Sequence, residues 1–274
     1  MNEAGENQGS KGASLRLLTY NIQAGTSTEK YQDYLTQGWK HVLPHNQRVA
    51  NLETIARFIA SFDIVGLQEV DDGSLRTGFL NQTQFLAERA GFPFWSHQSN
   101  RRVSKIARTC NGLLSRLRPT EVHDHKLPGR IPGRGALVAI YGEGAAALVV
   151  VIVHLALGRR SRRSQLAFIE ELIAPYQNAI VMGDLNTSLG AKEMQNFLEA
   201  RDLHVPEADS HTFPSWRPRR ALDHILVSGS LKVESFEVAG LSLSDHLPVT
   251  MNVRLPGQWL VESGAHYPVV NPVP

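Results

Sequence analysis

Seven side chains that can bind a hard metal ion or move a proton stand where apolar runs end. Asn21 closes "LRLLTYN", Glu69 closes "DIVGLQE" and His154 closes "LVVVIVH". Asp184 and Asn186 end "AIVMGDLN", and Asp245 and His246 come just before "LPVTMNV". Glu69, Asp184 and Asp245 are hard oxygen ligands, and Asn21 and Asn186 add amide oxygens. Mg2+ takes few protein carboxylates, keeps several waters and favours a phosphate partner. A neutral imidazole then stays free to move a proton. That set describes metal-assisted attack of water on a phosphate ester. Each residue alone has a duller reading: Asn21 as a turn residue, "DLN" as an Asx turn capping a helix, His154 as a core histidine, Glu69 as a surface acid beside Asp71 and Asp72. Their shared position separates them from these readings, because strand ends open onto a sheet edge where rigid backbone holds polar groups in a cleft.

The elements that must position them follow from the pattern of apolar residues. "LRLLTYNI", "DIVGLQEV" and "NAIVMGDLN" read as buried strands, with further strands at 111–115, 135–141, 148–154, 222–228, 232–239 and 247–254. Helical spacing appears at 46–60, with Val49, Leu52, Ile55, Ala56 and Ile59, and again at 81–90, 161–174 and 190–200. The Pro-, Gly- and Arg-rich stretch 116–134 reads as loop. Residues 1–13 read as a disordered tail, 14–256 as one domain, and 257–274 as a Pro-rich tail without a partner. Strands run in succession instead of alternating strictly with helices, which argues against a Rossmann fold or a barrel. The expectation is an α+β fold in which two mixed β-sheets pack together and helices cover the outer faces.

Composition bounds the class. The chain has 274 residues, of which 42% are hydrophobic and 20% charged, enough to bury a sizeable core. The formal net charge is +2, too small to imply nucleic acid by itself. Seven of the 28 basic residues are Lys and 21 are Arg, whose planar forks match phosphate oxygens. Codon usage is the plainer account of that bias. The single cysteine, Cys110, excludes a disulfide framework and a Cys-based zinc site within the chain. "MNEAGENQGSKGAS" has no apolar centre and is not a secretory signal. "ALVVVIVHLAL" is too short to span a bilayer. A soluble, cytoplasmic protein with no transmembrane segment and no obligate protein partner is expected.

The motifs "TYNIQAG", "DIVGLQEVD", "VHLALG", "GDLN", "ALDHILVS" and "SDHLPV", in this order, resemble the endonuclease/exonuclease/phosphatase superfamily of deoxyribonuclease-I-like phosphoesterases. They run from about residue 15 to residue 254. The resemblance implies a four-layered αββα sandwich with its site at one sheet edge. It implies that Glu69 is the main metal-ligand acid, with Asn21 beside it and Asp245 on the metal side. Asp184 and Asn186 would position the attacking water and the phosphate. His246 would face the scissile phosphate and be oriented by Asp223, as in a triad, and His154 would be a second histidine. The implied cofactor is Mg2+, with Mn2+ as a substitute. Two assignments of the base stay open: Asp184, and His246 with Asp223.

Segments around the motifs bear on the substrate. The insert 24–47 after Asn21 carries Tyr31, Tyr34, Trp39, His41 and His45, and is either a substrate grip or a packed loop. Arg101, Arg102, Lys105 and Arg108 precede Asn111, which the resemblance puts near the site. Arg159, Arg160, Arg162 and Arg163 open a helix against its dipole, so helix stability explains them poorly and an anion site is the alternative. Trp216, with Arg217, Arg219 and Arg220, suits stacking with phosphate pairing. Candidate substrate contacts are therefore Asn111, Arg108, Arg159 and Trp216. The leading expectation is a phosphodiesterase acting on nucleic acid. The alternatives are a phosphatase or sphingomyelin-type phosphodiesterase, and a non-catalytic binding module on the same scaffold.

Overall fold

The computed structural model describes residues 13–23, 45–73, 80–103, 107–129, 133–206, 210–257 and 259, with backbone alone at 45–46 and 99–109. Most of the expected N-terminal tail, most of the insert 24–47 and the C-terminal tail beyond 257, apart from Trp259, lie outside the described residues. So do the side chains of Arg101, Arg102, Lys105 and Arg108.

Among the described residues twelve strands form two sheets. The first holds β1 (Ser14–Asn21), β2 (Ile64–Asp71), β3 (Phe94–Val103), β4 (Ala107–Ser115), β11 (Lys232–Val238) and β12 (Val249–Arg254), in the order β11-β12-β1-β2-β4-β3. The second holds β5 (Glu121–Lys126), β6 (Gly135–Tyr141), β7 (Leu148–His154), β8 (Asn178–Asp184), β9 (Leu203–His204) and β10 (Asp223–Ser228), in the order β5-β6-β7-β8-β10-β9. Each sheet centres on one parallel pair, β1 with β2 and β7 with β8, and its other pairings are antiparallel. Four helices lie among the described residues: α1 (His45–Ile59), α2 (Gln82–Ala90), α3 (Arg159–Ile173) and α4 (Lys192–Ala200).

Alternation along the strands sorts side chains into three apolar layers. Leu15 and Leu17 of β1, Ile152 of β7, Ile180 and Met182 of β8 and Ile225 of β10 meet between the sheets. Leu18, Tyr20, Val65 and Leu67 face the other way, onto Leu52, Ile55 and Ile59 of α1 and Leu86 of α2. Val149, Val151, Val153 and Val181 pack under Leu166 and Ile169 of α3 and Phe197 of α4. The result is the expected αββα sandwich. Central strands buried on both faces are continuous apolar runs, which is why β6, β7 and β8 were legible in the sequence.

Two glycines set how closely the layers approach. At Gly66 on β2 an added Cβ would stand 3.0 Å from Met182 and 3.1 Å from Ile152 of the opposite sheet. Gly183 of β8 has φ +147°, and a Cβ there would lie 1.9 Å from the carbonyl oxygen of Val153. No side chain fits at the second position, so the glycine of "GDLN" is required by the backbone that carries Asp184.

The structure departs from expectation at three places. The stretch 116–134 is not all loop, because β5 forms within it. β5 is an edge strand paired only with β6, and five of its six residues are exposed, so its sequence "EVHDHK" shows no apolar alternation. β3, unexpected from the sequence, is the opposite edge of the first sheet and carries the polar run "SHQSNRR". Trp259, from the stretch read as a tail, is 1% exposed and joins the core between the sheets. The packed domain therefore reaches at least to that residue.

Gly183→Ala should destabilise the protein by about 2 kcal/mol or more, from combined backbone strain and overpacking. Chemical denaturation read by circular dichroism measures it, and an unchanged midpoint would overturn this account of "GDLN".

Candidate active site

One end of the sandwich gathers polar groups from both sheets. The last residues of β1, β7 and β8, the first residue of β10, and the turn before β12 all open there. Register puts His154, Asp184 and Asp223 side by side: His154 pairs with Asp184 across β7 and β8, and Asp184 with Asp223 across β8 and β10. Each is two residues from an inward-facing apolar neighbour, Ile152, Met182 and Ile225 respectively, so each points into the space between the sheets. Glu69 arrives by a different device. The pairing of β2 with β4 shifts between Leu67 and Val70, and Glu69 at this bulge has φ +55°. A bulge re-aims one side chain without breaking the sheet.

The groups converge on one atom, Oδ2 of Asp184. Asn21 Nδ2 donates to it at 3.2 Å, His154 Nε2 lies 3.3 Å away and His246 Nε2 3.9 Å. The other oxygen, Oδ1, accepts the backbone N–H of Asn186 at 3.0 Å. Asn186 has φ +52° and donates its Nδ2 to Leu155 O at 2.9 Å, tying the "GDLN" turn to the residue after His154. Asn21 also hydrogen-bonds Glu69, and its Oδ1 accepts Gln23 N–H at 3.2 Å. Across the cleft, His246 Nδ1–H donates to Asp223 Oδ2 at 2.7 Å, and Thr212 Oγ1 donates to the same oxygen at 2.5 Å. Phe213 lies against the His246 ring, with centroids 4.9 Å apart. Ser244 Oγ donates to Asp245 Oδ1 at 3.2 Å and accepts His246 N–H at 3.3 Å.

These groups line a cavity of about 390 Å3. Glu69, His154, Asp184, Asn186, Asp245 and His246 form its polar part, and Leu157, Phe213, Pro214, Trp216 and Leu222 form an apolar wall. Arg134 and Arg220 add positive charge.

The sequence pattern of the endonuclease/exonuclease/phosphatase family matches residues 18–246. The chain belongs to that family. No curated protein matches it. Among solved structures, an endonuclease/exonuclease/phosphatase from Beutenbergia cavernae superposes with a TM-score of 0.70 at 20% identity, covering 88% of this chain and 72% of that one. The human Nocturnin catalytic domain with bound sulfate gives 0.62 at 17% identity, covering 89% and 95%. A mannosyl-6-phosphatase from Bacteroides thetaiotaomicron gives 0.59 at 17% identity, covering 87% and 99%. Members of this family are hydrolases of phosphate esters, and this chain is a phosphoesterase of that superfamily.

In this family member the three acids are raised above their ordinary values, and the two histidines depart in opposite directions. Burial, then the nearby charge of Asp223, raise Asp184 to about 7, although His246 and the Asn186 amide pull it down. Burial and then Asp245 raise Glu69, and burial raises Asp245 itself. Burial alone would depress His246. The charge and hydrogen bond of Asp223, then Asp184 and Asp245, reverse that and raise it to about 10. His154 is held well below its usual value by burial, then by Arg134 and His246, and is a neutral imidazole.

The donor set fits a divalent cation. Burial, then the charge of Asp245, raise the half-buried Glu69, and a positive ion bound beside both acids would relieve the repulsion between them. Among the described residues, Asp184, Asp223 and His246 also bring one ligand atom each within 4.8 Å of one another. There Asp223 and His246 already satisfy each other, although Asp223 Oδ1 is buried without a partner among the described residues. Among those residues, no helix is long and apolar enough to cross a membrane.

Of the proposed substrate contacts whose side chains are described, Asn111, Arg159 and Trp216, only Trp216 lines the cavity. Asn111 is buried in the seam between the sheets, where Nδ2 donates to Gly135 O at 2.9 Å and to Gln98 Oε1 at 3.2 Å. Arg108 lies on β4 opposite Arg102 of β3. Arg159 is largely exposed and pairs with Glu193 at 3.2 Å. Arg162 is buried, meets Glu193 at 2.9 Å and donates to the carbonyls of Ala156 and Leu157. Two of the four arginines that open α3 therefore hold the turn after His154 to the start of α4. This corrects the expectation that structure explains them poorly: the dipole penalty is offset by the Glu193 carboxylate. Thr212, Phe213 and Arg134 were missed as site residues, and Arg220, expected only as one cation of a run beside Trp216, lines the cavity with Phe213 and Arg134. "TFPSWRPRR" carried three of them, but nothing in that string shows that it folds back over His246.

In metal-free protein His246 keeps its proton to about pH 10 and Asp184 to about pH 7, whereas unfolded counterparts release theirs near 6.5 and 3.8. Each effect costs stability as pH rises: Asp184 between 3.8 and 7, His246 between 6.5 and 10. Unfolding free energy in EDTA should therefore fall from pH 6.5 to 10, and Asp223→Asn should flatten that slope. The NMR titration of the His246 ring should move toward neutrality in the same variant. An unmoved titration would overturn the Asp223–His246 assignment.

Proposed function

We propose that the protein is a Mg2+-dependent phosphodiesterase that cleaves nucleic acid by in-line attack of water. The observation that carries this reading is the meeting of three carboxyls, two histidines and an amide bridge on one cavity, with protonation states arranged for proton transfer. Glu69 and Asp245 would hold the ion, and Asn21 fixes Glu69 against Asp184. Mg2+, or Mn2+ in its place, supplies charge neutralisation and polarisation of a phosphate oxygen when bound. Asp184, titrating near neutrality, is matched to take a proton from the attacking water, and Asn186 holds the turn that aims it. His246, kept charged by Asp223, faces the negative charge that develops on phosphorus oxygens. His154, neutral, can donate a hydrogen bond to the departing oxygen.

Activity on a small phosphate monoester uses the same residues, and the cavity volume favours this second reading, since about 390 Å3 suits a small ligand. Hydrolysis with Mg2+ of plasmid DNA, single-stranded oligonucleotide, RNA, sphingomyelin, inositol phosphates and a chromogenic phosphodiester separates the two. Cleavage of nucleic acid is expected, reduced at least about 100-fold in Glu69→Ala and in His246→Ala. Cleavage of headgroups or sugar phosphates alone would sink the nucleic-acid assignment. Asp223→Asn should lower kcat while the affinity for Mn2+, read by calorimetry, stays close to that of the parent. Loss of Mn2+ binding would show that Asp223 is a ligand and not the orienting group of His246.

A further inference from the structure

The cavity rim beside His246 is built by a short hairpin. Phe213 and Arg220 pair in an isolated antiparallel bridge, and Phe213 O accepts N–H groups from Arg219 at 2.9 Å and Arg220 at 3.0 Å. Arg217 N–H donates to Pro214 O at 3.0 Å. Eight residues, "FPSWRPRR", are thus closed into a tight loop. Its base is fixed at two points of the active site. Thr212 bonds Asp223, and Ser215 donates its N–H to Asp245 O at 2.8 Å and its Oγ to Ser244 O at 2.6 Å.

This loop presents three exposed arginines, Arg217, Arg219 and Arg220, and among the described residues none of them has an acidic partner. Five arginines elsewhere pair with acids: Arg16 with Asp63, Arg89 with Glu53, Arg159 and Arg162 with Glu193, and Arg254 with Glu234. Of the three arginines of the loop, Arg220 lines the cavity. Its guanidinium lies 5.8 Å from the centroid of Phe213, whose ring is 4.9 Å from that of His246. Contact with the ring steadies the cation. It leaves the in-plane N–H fork available, and that fork matches the oxygens of a phosphate. The site for the reacting phosphate is already occupied by His246, His154 and the acids, so a guanidinium one ring further out serves a different anion.

The geometry points to Arg220 as a specificity residue that binds the phosphate next to the scissile one. The substrate is then one with at least two phosphates in series along a chain, as in an oligonucleotide, in preference to an isolated phosphate ester. This deepens the phosphodiesterase reading and rests on it.

The test compares the dinucleotide TpT with pTpT and TpTp, which add one terminal phosphate at either end. In the parent protein one of the two additions should raise kcat/KM at least about tenfold, mainly through KM, and salt should erode the gain. Arg220→Gln should abolish the gain and Arg220→Lys should keep part of it, since it retains charge but loses the fork. Equal kcat/KM for all three substrates in the parent, or a gain that survives in Arg220→Gln, would overturn the assignment. Affinities for the same three molecules, taken by calorimetry in EDTA where nothing turns over, read the subsite without catalysis. If a chromogenic phosphodiester and TpT both resist hydrolysis with Mg2+, the phosphodiesterase reading fails. The EDTA affinities then decide the subsite alone: preference for the extra phosphate, lost in Arg220→Gln, supports it, and indifference removes it.

Discussion

The whole site depends on one carboxylate oxygen held between two sheets. Oδ2 of Asp184 faces Asn21 from the first sheet, His154 from its own sheet, and His246 from the turn before β12. Burying an acid among other acids is costly, and the cost appears as a proton held to about pH 7. What makes the arrangement tolerable is the number of partners that converge on it. The close approach of the sheets at Gly66 and the bare backbone at Gly183 exist so that these partners can reach one atom.

From that constraint the division of labour follows. Asp223 commits one oxygen to His246 and Thr212 and so favours the charged form of His246, while burial, then the charges of Arg134 and His246, keep His154 neutral. Two histidines in one cavity therefore hold different protonation states at the same pH, although both lie near Asp184. The Glu193 bridge to Arg162 works at longer range. It pins the carbonyls of Ala156 and Leu157, and so fixes the exit of the strand that ends in His154.

Much of this could be read from residues alone. The inner strands were legible because strands buried on both faces must be apolar, and the polar residue that ends each run announces the sheet edge. Two edge strands, β5 and β3, were not legible, because they follow hydrogen bonding to a neighbour and their polar sequences carry no apolar period, whereas β11, also at an edge, was. The placement of His154, Asp184 and Asp223 side by side needed the register, which no local pattern encodes. Glu69 depends on a bulge with a left-handed residue that is not a glycine, and that is a product of the surrounding sheet. The substrate contacts fared worst. Asn111 and Arg159 are types that bind phosphate, yet here one seams the two sheets and the other braces a helix.

The strand order carries a consequence for how the chain becomes active. β1 lies between β2 and β12, and Ser14 pairs with Arg254, 240 residues later. The second sheet is drawn entirely from the middle of the chain, so it can assemble while the C-terminus is still being synthesised. The first sheet cannot. Until β12 arrives, β1 has an open flank, and Asp245 and His246, which ride in with it, are missing. A nascent or truncated chain therefore presents a half-built cleft with Asp184 and His154 but without its charged imidazole. The charged imidazole of the cleft is therefore added only after every strand of the second sheet has been made.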